Sequence, residues 1–330
     1  MTKRITILTG EPTIEVLAEM QIDQAGAAGM ANWLKLHRPD CMPEGYDQFQ
    51  YDNDRFASLF PHNQLRRDMT HENSSEFGVQ DMISDNELLV ELAGRNCYHS
   101  FGLKAGKKSN AEYIANTQSG EVKHASILYH AKMTFFIAGV SRRVSQEMMR
   151  NYVGSDRDTE GSPSQESSRF THHYGFYVAH PYLLQDAPGR GDAMKRWAEE
   201  TQRAHDNYEA FIASEFQNYL IKHTTEPKGV DRKRIYEAAI GRLPWDFETS
   251  FVWTTNPAAL TKLFIERDNN LADLEFQRFA QKWKKICLER WPNLFPRFMA
   301  EEFANAQTAQ TQVFYGAGSM ASAILAEKGK

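Results

Sequence analysis

The chain has 330 residues, of which 41% are apolar and 25% charged, with 20 Gly and 12 Pro; this is ordinary globular usage and excludes collagen-like, mucin-like and wholly disordered chains. The 38 Lys and Arg against 43 Asp and Glu leave a net charge of −5 with no long basic block, which argues against a surface built to coat a nucleic acid polymer. A chain of this length makes one large domain or two modest ones and buries a core without disulfide staples.

Residues 1–80 are irregular, punctuated by Pro39, Pro43, Gly45 and Pro61 and by a polar run from Thr70 to Ser75, with an expected helix from Thr13 to Leu36. They read as a partly ordered N-terminal extension. The apolar start Ile5 to Leu8 is too short for a signal-peptide core, and Met133 to Val140 is too short for a membrane span, so the expected location is the cytoplasm, away from membranes.

From Asp85 a helical pattern runs through Ala93 and breaks at Gly102, and a second helix is expected near Asn110 after the lysine-bearing loop 104–108. Met133 to Val140 is aromatic and β-branched and predicts a buried strand; Ser141 then suits the N-cap of a helix reaching about Tyr152. Between Val153 and Pro163 there is no apolar side chain, which predicts a loop, and Arg169 to Val178 alternates aromatic and polar like a strand. The remainder is helical in pattern. Met194, Trp197, Thr201, Tyr208, Phe211, Tyr219 and Leu220 mark one face, and Phe276, Phe279, Trp283, Ile286 and Cys287 another, with Pro292 and Pro296 expected to stop the last long helix.

Cys41, Cys97 and Cys287 are odd in number and far apart, which predicts free thiols and no thiolate metal site. Gly316 to Ala321 matches a dinucleotide fingerprint, but too few residues follow for the helix, strand and acidic ribose ligand that give such glycines their meaning. His124, His130, His172, His173 and His180 lack the helical spacing of a metal site, so no metal is expected. No nucleophile elbow accompanies any serine.

The informative stretch begins at His124-Ala125-Ser126 and His130, continues through Gly139-Val140-Ser141-Arg142, a helix carrying Glu147 and Arg150, and the polar loop, and ends Gln165-Glu166-Ser167-Ser168-Arg169-Phe170. This order resembles the flavin-dependent thymidylate synthases. The resemblance returns at Leu243-Pro244, Phe251-Val252-Trp253-Thr254-Thr255-Asn256, and Glu266-Arg267 followed by Ala272-Asp273-Leu274-Glu275, with Arg95 to Ser100 echoing an upstream block. A hydroxyl, main-chain N–H groups and a forked guanidinium at Ser167 and Arg169 can converge on one dianion.

The resemblance implies an α/β (α+β-like) fold, with a central sheet flanked by helices, in residues 81–300, followed by a C-terminal tail at 301–330. It implies reductive methylation of dUMP to dTMP with FAD, NADPH and methylenetetrahydrofolate, in a homotetramer with sites at subunit interfaces. In this scheme Arg267 stabilises the uracil as N3 loses its proton; such stabilisation of developing charge activates C5 without a cysteine. Glu147, Arg150, Gln165, Ser167, Ser168, Arg169 and Arg242 join Arg267 around the nucleotide. His130, Arg150, Asn151, Tyr152, Gln165, Asn256 and Lys262 fall at flavin positions.

The chain departs from the family pattern in several places. Arg150-Asn151-Tyr152 stands where the family has Arg-His-Arg, the spacer to Ser167 is longer, Glu147 replaces a usual Gln, and Ile240, Ala258 and Leu271 replace two arginines and a histidine. Arg157, Arg242 and Lys262 are the candidates to restore positive charge. The departures leave open a C5 methylase or hydroxymethylase of another pyrimidine nucleotide, such as UMP, and a silent nucleotide-binding relative.

Overall fold

The computed structural model describes residues 4–43, 46–48, 56–61, 83–118, 124–153 and 161–301. The chain divides into two compact units, Met1–Met20 with Lys132–Lys285, and Gln21–Ala131 with Ile286–Lys330. The fingerprint-like Gly316 to Ala321, the polar run 70–75 and Arg157 lie outside the described residues.

The first unit is built on an antiparallel sheet in the order β2-β3-β6-β4, from Thr13–Glu19, Met133–Ser141, Glu248–Thr255 and Gly161–Gln165. β3 is the strand its residues predict, and it is central because Phe135 and Ile137 bury one face while β2 and β6 satisfy both edges. Opposite them on β6 stand Trp253 and Phe251, on the same buried face. A bulge after Ile137 resets the alternation so that Val140 and Ser141 are buried, and Gly139 takes the φ of +73° this requires while its N–H donates to Glu248 Oε1 at 2.9 Å.

Two expectations change here. Thr13 does not open a helix: Ile14 and Val16 alternate with Thr13 and Glu15, and this period of two places the segment on the edge of the sheet as β2. The expected loop before Pro163 ends in an edge strand, β4, which needs no apolar pattern because backbone pairing to β6 holds it, and Pro163 is tolerated at an edge.

A two-stranded parallel pair joins β1 (Thr6–Leu8) to β5 (Phe176–Val178). The strand expected from Arg169 is thus confined to its last three residues; Ser167 O accepts from the N–H groups of Phe170 and Thr171, closing a turn instead.

Helix α4 (Arg142–Val153) follows β3 directly, and α5 (Arg190–His223) packs against α6 (Gly229–Ala239). The buried stripe of α5 is Thr201, His205, Tyr208 and Ile212, joined by Tyr177, Tyr236 and Phe247, whereas Leu220 is exposed. Asn256 caps α7 (Pro257–Arg267), its Oδ1 accepting from Ala259 N at 3.0 Å, and Asp273 caps α8 (Leu274–Arg290). Trp283 is fully buried with Phe135, Phe279 and Phe264 at ring distances of 5.0, 5.3 and 6.2 Å, tying α8 to the sheet and to α7.

The second unit is helical. It contains α1 (Gln24–His37), α2 (Asp85–Tyr98) and α3 (Asn110–Gln118), around a core of Ala31, Leu34, Leu59, Phe60, Leu88 and Phe101. A reciprocal capping box between Ser84 and Glu87 starts α2. At its end the buried Arg95 pairs with Glu91 at 2.5 Å and donates to the carbonyls of Ser100 and Ala105, fixing the loop that the lysine-rich sequence predicts. Pro292 follows the end of α8 as expected, but Pro296 opens a further helical turn at 296–301, in the first-turn position where its missing N–H costs nothing.

The aromatic junction at Trp283 sets the stability of the first unit. Trp283→Ala is expected to lower unfolding free energy by about 3–5 kcal/mol, read as a fall in the urea midpoint; an unchanged midpoint would contradict this packing account.

Candidate functional site

The start of α4 is held by side chains far away in sequence. Ser141 Oγ accepts from Val144 N at 3.3 Å, as an N-cap should, and the carbonyls of Phe247 and Trp245 take the next two N–H groups, from Arg142 and Arg143. Arg143 Nη1 donates to Asp246 Oδ1 at 2.8 Å, Nη2 to Glu275 Oε2 at 2.6 Å, and Nε lies 3.4 Å from Asp273 Oδ2. Glu275 also accepts from Ser141 N and Oγ, each at 2.8 Å, while Trp197 Nε1 donates to Asp246 Oδ2 at 2.9 Å. Burial alone would raise the Asp273 carboxyl, but hydrogen bonds from His180 and Phe276 N and the Arg143 charge hold it at about 2. Burial likewise works against the charge on Arg143, and the three carboxylates outweigh it.

On this base sits the Arg267 cluster. Arg267 ends α7 with its guanidinium 5.1 Å from the ring centre of Phe276, the residue after Glu275, and Nη1 lies 3.7 Å from Glu147 Oε2 on α4. Only 22% of the Arg267 side chain is exposed, so the surface pair with its sequence neighbours that a bare reading of Glu266 and Asp268 allows is not what forms. Asp268 is instead engaged by Lys284 and Gln281.

Gln165, the last residue of β4, donates to Ser145 Oγ of α4 at 2.8 Å and to Thr249 Oγ1 of β6 at 3.2 Å. Ser167 and Ser168 are half-buried in the turn beyond it, and Arg169 is 57% exposed with Nη1 3.7 Å from Glu237 on α6. These phosphate candidates therefore follow a strand end rather than a strand start. The turn is anchored on its far side: His172 Nε2 meets Glu209 at 3.1 Å, and His173 N donates to Tyr208 OH at 3.2 Å. Burial pushes the His173 ring down to about 4, aided by the charges of His172, Arg142 and His205, and burial raises the Tyr208 hydroxyl to about 12.

The remaining candidates are dispersed. Arg150, Asn151 and Tyr152 form the last turn of α4, Arg150 one turn beyond Glu147. Asn256 is fully buried; its Oδ1 is the α7 cap, and its Nδ2 has no hydrogen-bond partner among the described residues. Lys262 is half-buried on α7. Arg242 is exposed, its guanidinium 3.7 Å from the Phe211 ring centre and donating to Ala238 O. His130 ends a short 3-10 turn in the helical unit. Arg143 is the residue that sequence reasoning missed: it sits beside the motif residue Arg142, and two of its three carboxylate partners, Asp273 and Glu275, stand in the downstream motif, while Asp246 lies just after the Leu243-Pro244 pair.

Among the described residues no group of His, Cys, Asp and Glu is arranged to hold a metal, and no helix is long and apolar enough to cross a membrane. Cys41 and Cys287 are buried and Cys97 is exposed, all unpaired with one another.

A family model described as thymidylate synthase complementing protein matches residues 79–293. A flavin-dependent thymidylate synthase of Corynebacterium diphtheriae is 27% identical over 241 residues, covering 72% of this chain and 89% of that protein. Its counterpart in Mycobacterium avium is 30% identical over 215 residues, covering 64% and 78%. Among solved structures, thymidylate synthase X from Helicobacter pylori with FAD and dUMP aligns with a TM-score of 0.42 and 21% identity, over 64% of this chain and 90% of that one.

The ionisations predict two acid windows. His173 binds its proton more weakly when folded, so the stability it contributes is complete above pH 6.5 and is lost as pH falls toward 4. Asp273 holds its charge more firmly when folded, so its contribution is complete above 3.8 and is lost as pH falls toward 2. Urea midpoints measured from pH 7.5 to 2.5 should fall in both ranges, with His173→Gln flattening the upper and Asp273→Asn the lower; a profile unaltered by either substitution would contradict these assignments.

Proposed function

The chain belongs to the flavin-dependent thymidylate synthase family, and on that premise we propose that it converts dUMP to dTMP by reductive methylation, using FAD, NADPH and methylenetetrahydrofolate. The observation that carries this reading is the Arg267 cluster: a largely buried guanidinium, fixed by Phe276 and placed beside the carboxylate of Glu147. A fixed cation of this kind stabilises negative charge as it develops on the pyrimidine ring, raising electron density at C5. The unit that carries it contains no cysteine, which supports activation by charge rather than by thiolate addition.

The other roles follow from placement. Ser167, Ser168 and Arg169 offer hydroxyls and a guanidinium at an anchored turn for the 5′-phosphate; Arg169 would exchange its contact with Glu237 for the stronger dianion. Arg150, Gln165 and Arg242 complete the nucleotide set. Flavin recognition falls to His130, Arg150, Asn151, Tyr152, Gln165, Asn256 and Lys262. The buried, unpartnered Nδ2 of Asn256 fits this assignment, because it is a donor that a ligand carbonyl or ring nitrogen would satisfy. When bound, the flavin supplies the hydride chemistry, and the protein binds, orients and polarises. A homotetramer in the cytoplasm completes the proposal.

Purified protein titrated with FAD, followed by NADPH oxidation with and without dUMP, tests it. Flavin binding with oxidation stimulated by dUMP, and dTMP formed in preference to products from UMP or dCMP, is the expected result. Protein that binds dUMP but neither FAD nor NADPH would overturn it.

A further inference from the structure

Arg267 can stabilise a pyrimidine anion but cannot make one. A guanidinium carries five N–H donors and no acceptor, so the proton on N3 must leave to a different group. Glu147 is the carboxylate beside it. Its Oε2 lies 3.7 Å from Arg267 Nη1, close enough for ionic attraction and too long for a direct hydrogen bond, and its oxygens accept no hydrogen bond from any other described residue. They remain available to an N–H in the same place.

The surroundings favour that use. The Glu147 side chain is 31% exposed and Arg267 22%, so the field between them is only partly screened by water. Glu147 projects from α4, whose first turn is fixed through Ser141 and Arg143 to Glu275, and Arg267 rests on Phe276, the next residue along α8. The proton acceptor and the anion stabiliser are therefore referenced to the same end of one helix.

We infer that Glu147 takes the N3 proton of the bound pyrimidine, an inference that rests on the reading of Arg267 given above. The N3–H bond breaks heterolytically and the proton passes to a Glu147 oxygen. The electron pair stays on N3 beside Arg267 and spreads onto O4 and O2, so the carbonyls draw less on N1 and the N1 pair is released through C6 to C5; C5 then attacks the carbon of a methylene iminium donor, whose C–N π pair returns to the donor nitrogen. Once C5 is substituted, Glu147 returns the proton to N3, so the carboxylate is regenerated and no outside acid or oxidant is required. The pair thus does in two side chains what a lone arginine leaves half done.

The test uses the full chain, dUMP labelled with 15N at N3, and the variants Glu147→Gln and Glu147→Asp. Bound to the flavin-free protein, the labelled N3 should resonate between the free nucleotide and its anion. In Glu147→Gln, which keeps the shape of the side chain, it should return to the free position with dUMP still bound at saturating concentration. In the loaded enzyme Glu147→Gln should lower kcat about 100-fold with little change in KM, and Glu147→Asp should recover part of the loss. An N3 resonance and a kcat that Glu147→Gln leaves unmoved would overturn the inference while leaving the proposed reaction standing. Failure of the unaltered protein to bind dUMP would instead overturn the reading of the site, and this inference with it.

Discussion

One guanidinium, that of Arg143, is shared among Asp246, Asp273 and Glu275, and the geometry of the site depends on it. These carboxylates come from the segment before β6 and from the start of α8, so a single planar fork ties two stretches of chain to the first turn of α4. Removing such charges from water is costly, and the arrangement is tolerable because each carboxylate oxygen accepts a hydrogen bond, from Arg143 itself and from Trp197 on Asp246, Ser141 on Glu275, and His180 and the N–H groups that open α8 on Asp273. Held in this way, the network fixes the first turn of α4, the helix that carries Glu147, and the start of α8, which carries Phe276.

Beside it lies a second pairing of opposite charges. Arg267 and Glu147 meet where α7 and α4 converge, and Phe276 supports the guanidinium from α8. The anchored turn after β4 presents Ser167, Ser168 and Arg169 from a different direction, with Tyr208 and Glu209 of α5 holding its far end through His173 and His172. The turn, held by hydrogen-bonded backbone, and the partly buried Arg267–Glu147 pair are thus positioned by different elements.

Much of this was legible in the sequence, for reasons that differ by residue. The central strand β3 and the helix after Ser141 follow from local pattern, because β-branched and aromatic runs and a capping hydroxyl act over a few residues. The helical faces around Trp283 and Tyr208 follow from the 3.6-residue period. β2 carried a signal in the alternation of Ile14 and Val16, but Glu, Leu and Ala at 15, 17 and 18 gave it a helical composition. β4 carried none, since Ser162, Pro163 and Ser164 are held by pairing with β6 alone. Individual site residues were named from motif resemblance, and their companions were not: Arg143 meets partners 103 and 132 positions away, a relation no local pattern encodes. The same holds for the pairing of Glu147 with Arg267.

The central claim is that the Arg143 fork positions the reacting side chains rather than merely stabilising the fold. Arg143→Lys keeps the positive charge and removes the fork, so it separates these two roles. The most direct measurement is dUMP turnover by this variant, with far-UV circular dichroism to establish that it is folded. The account predicts a folded protein whose turnover is lower by about 100-fold; a folded variant with unchanged turnover would contradict it.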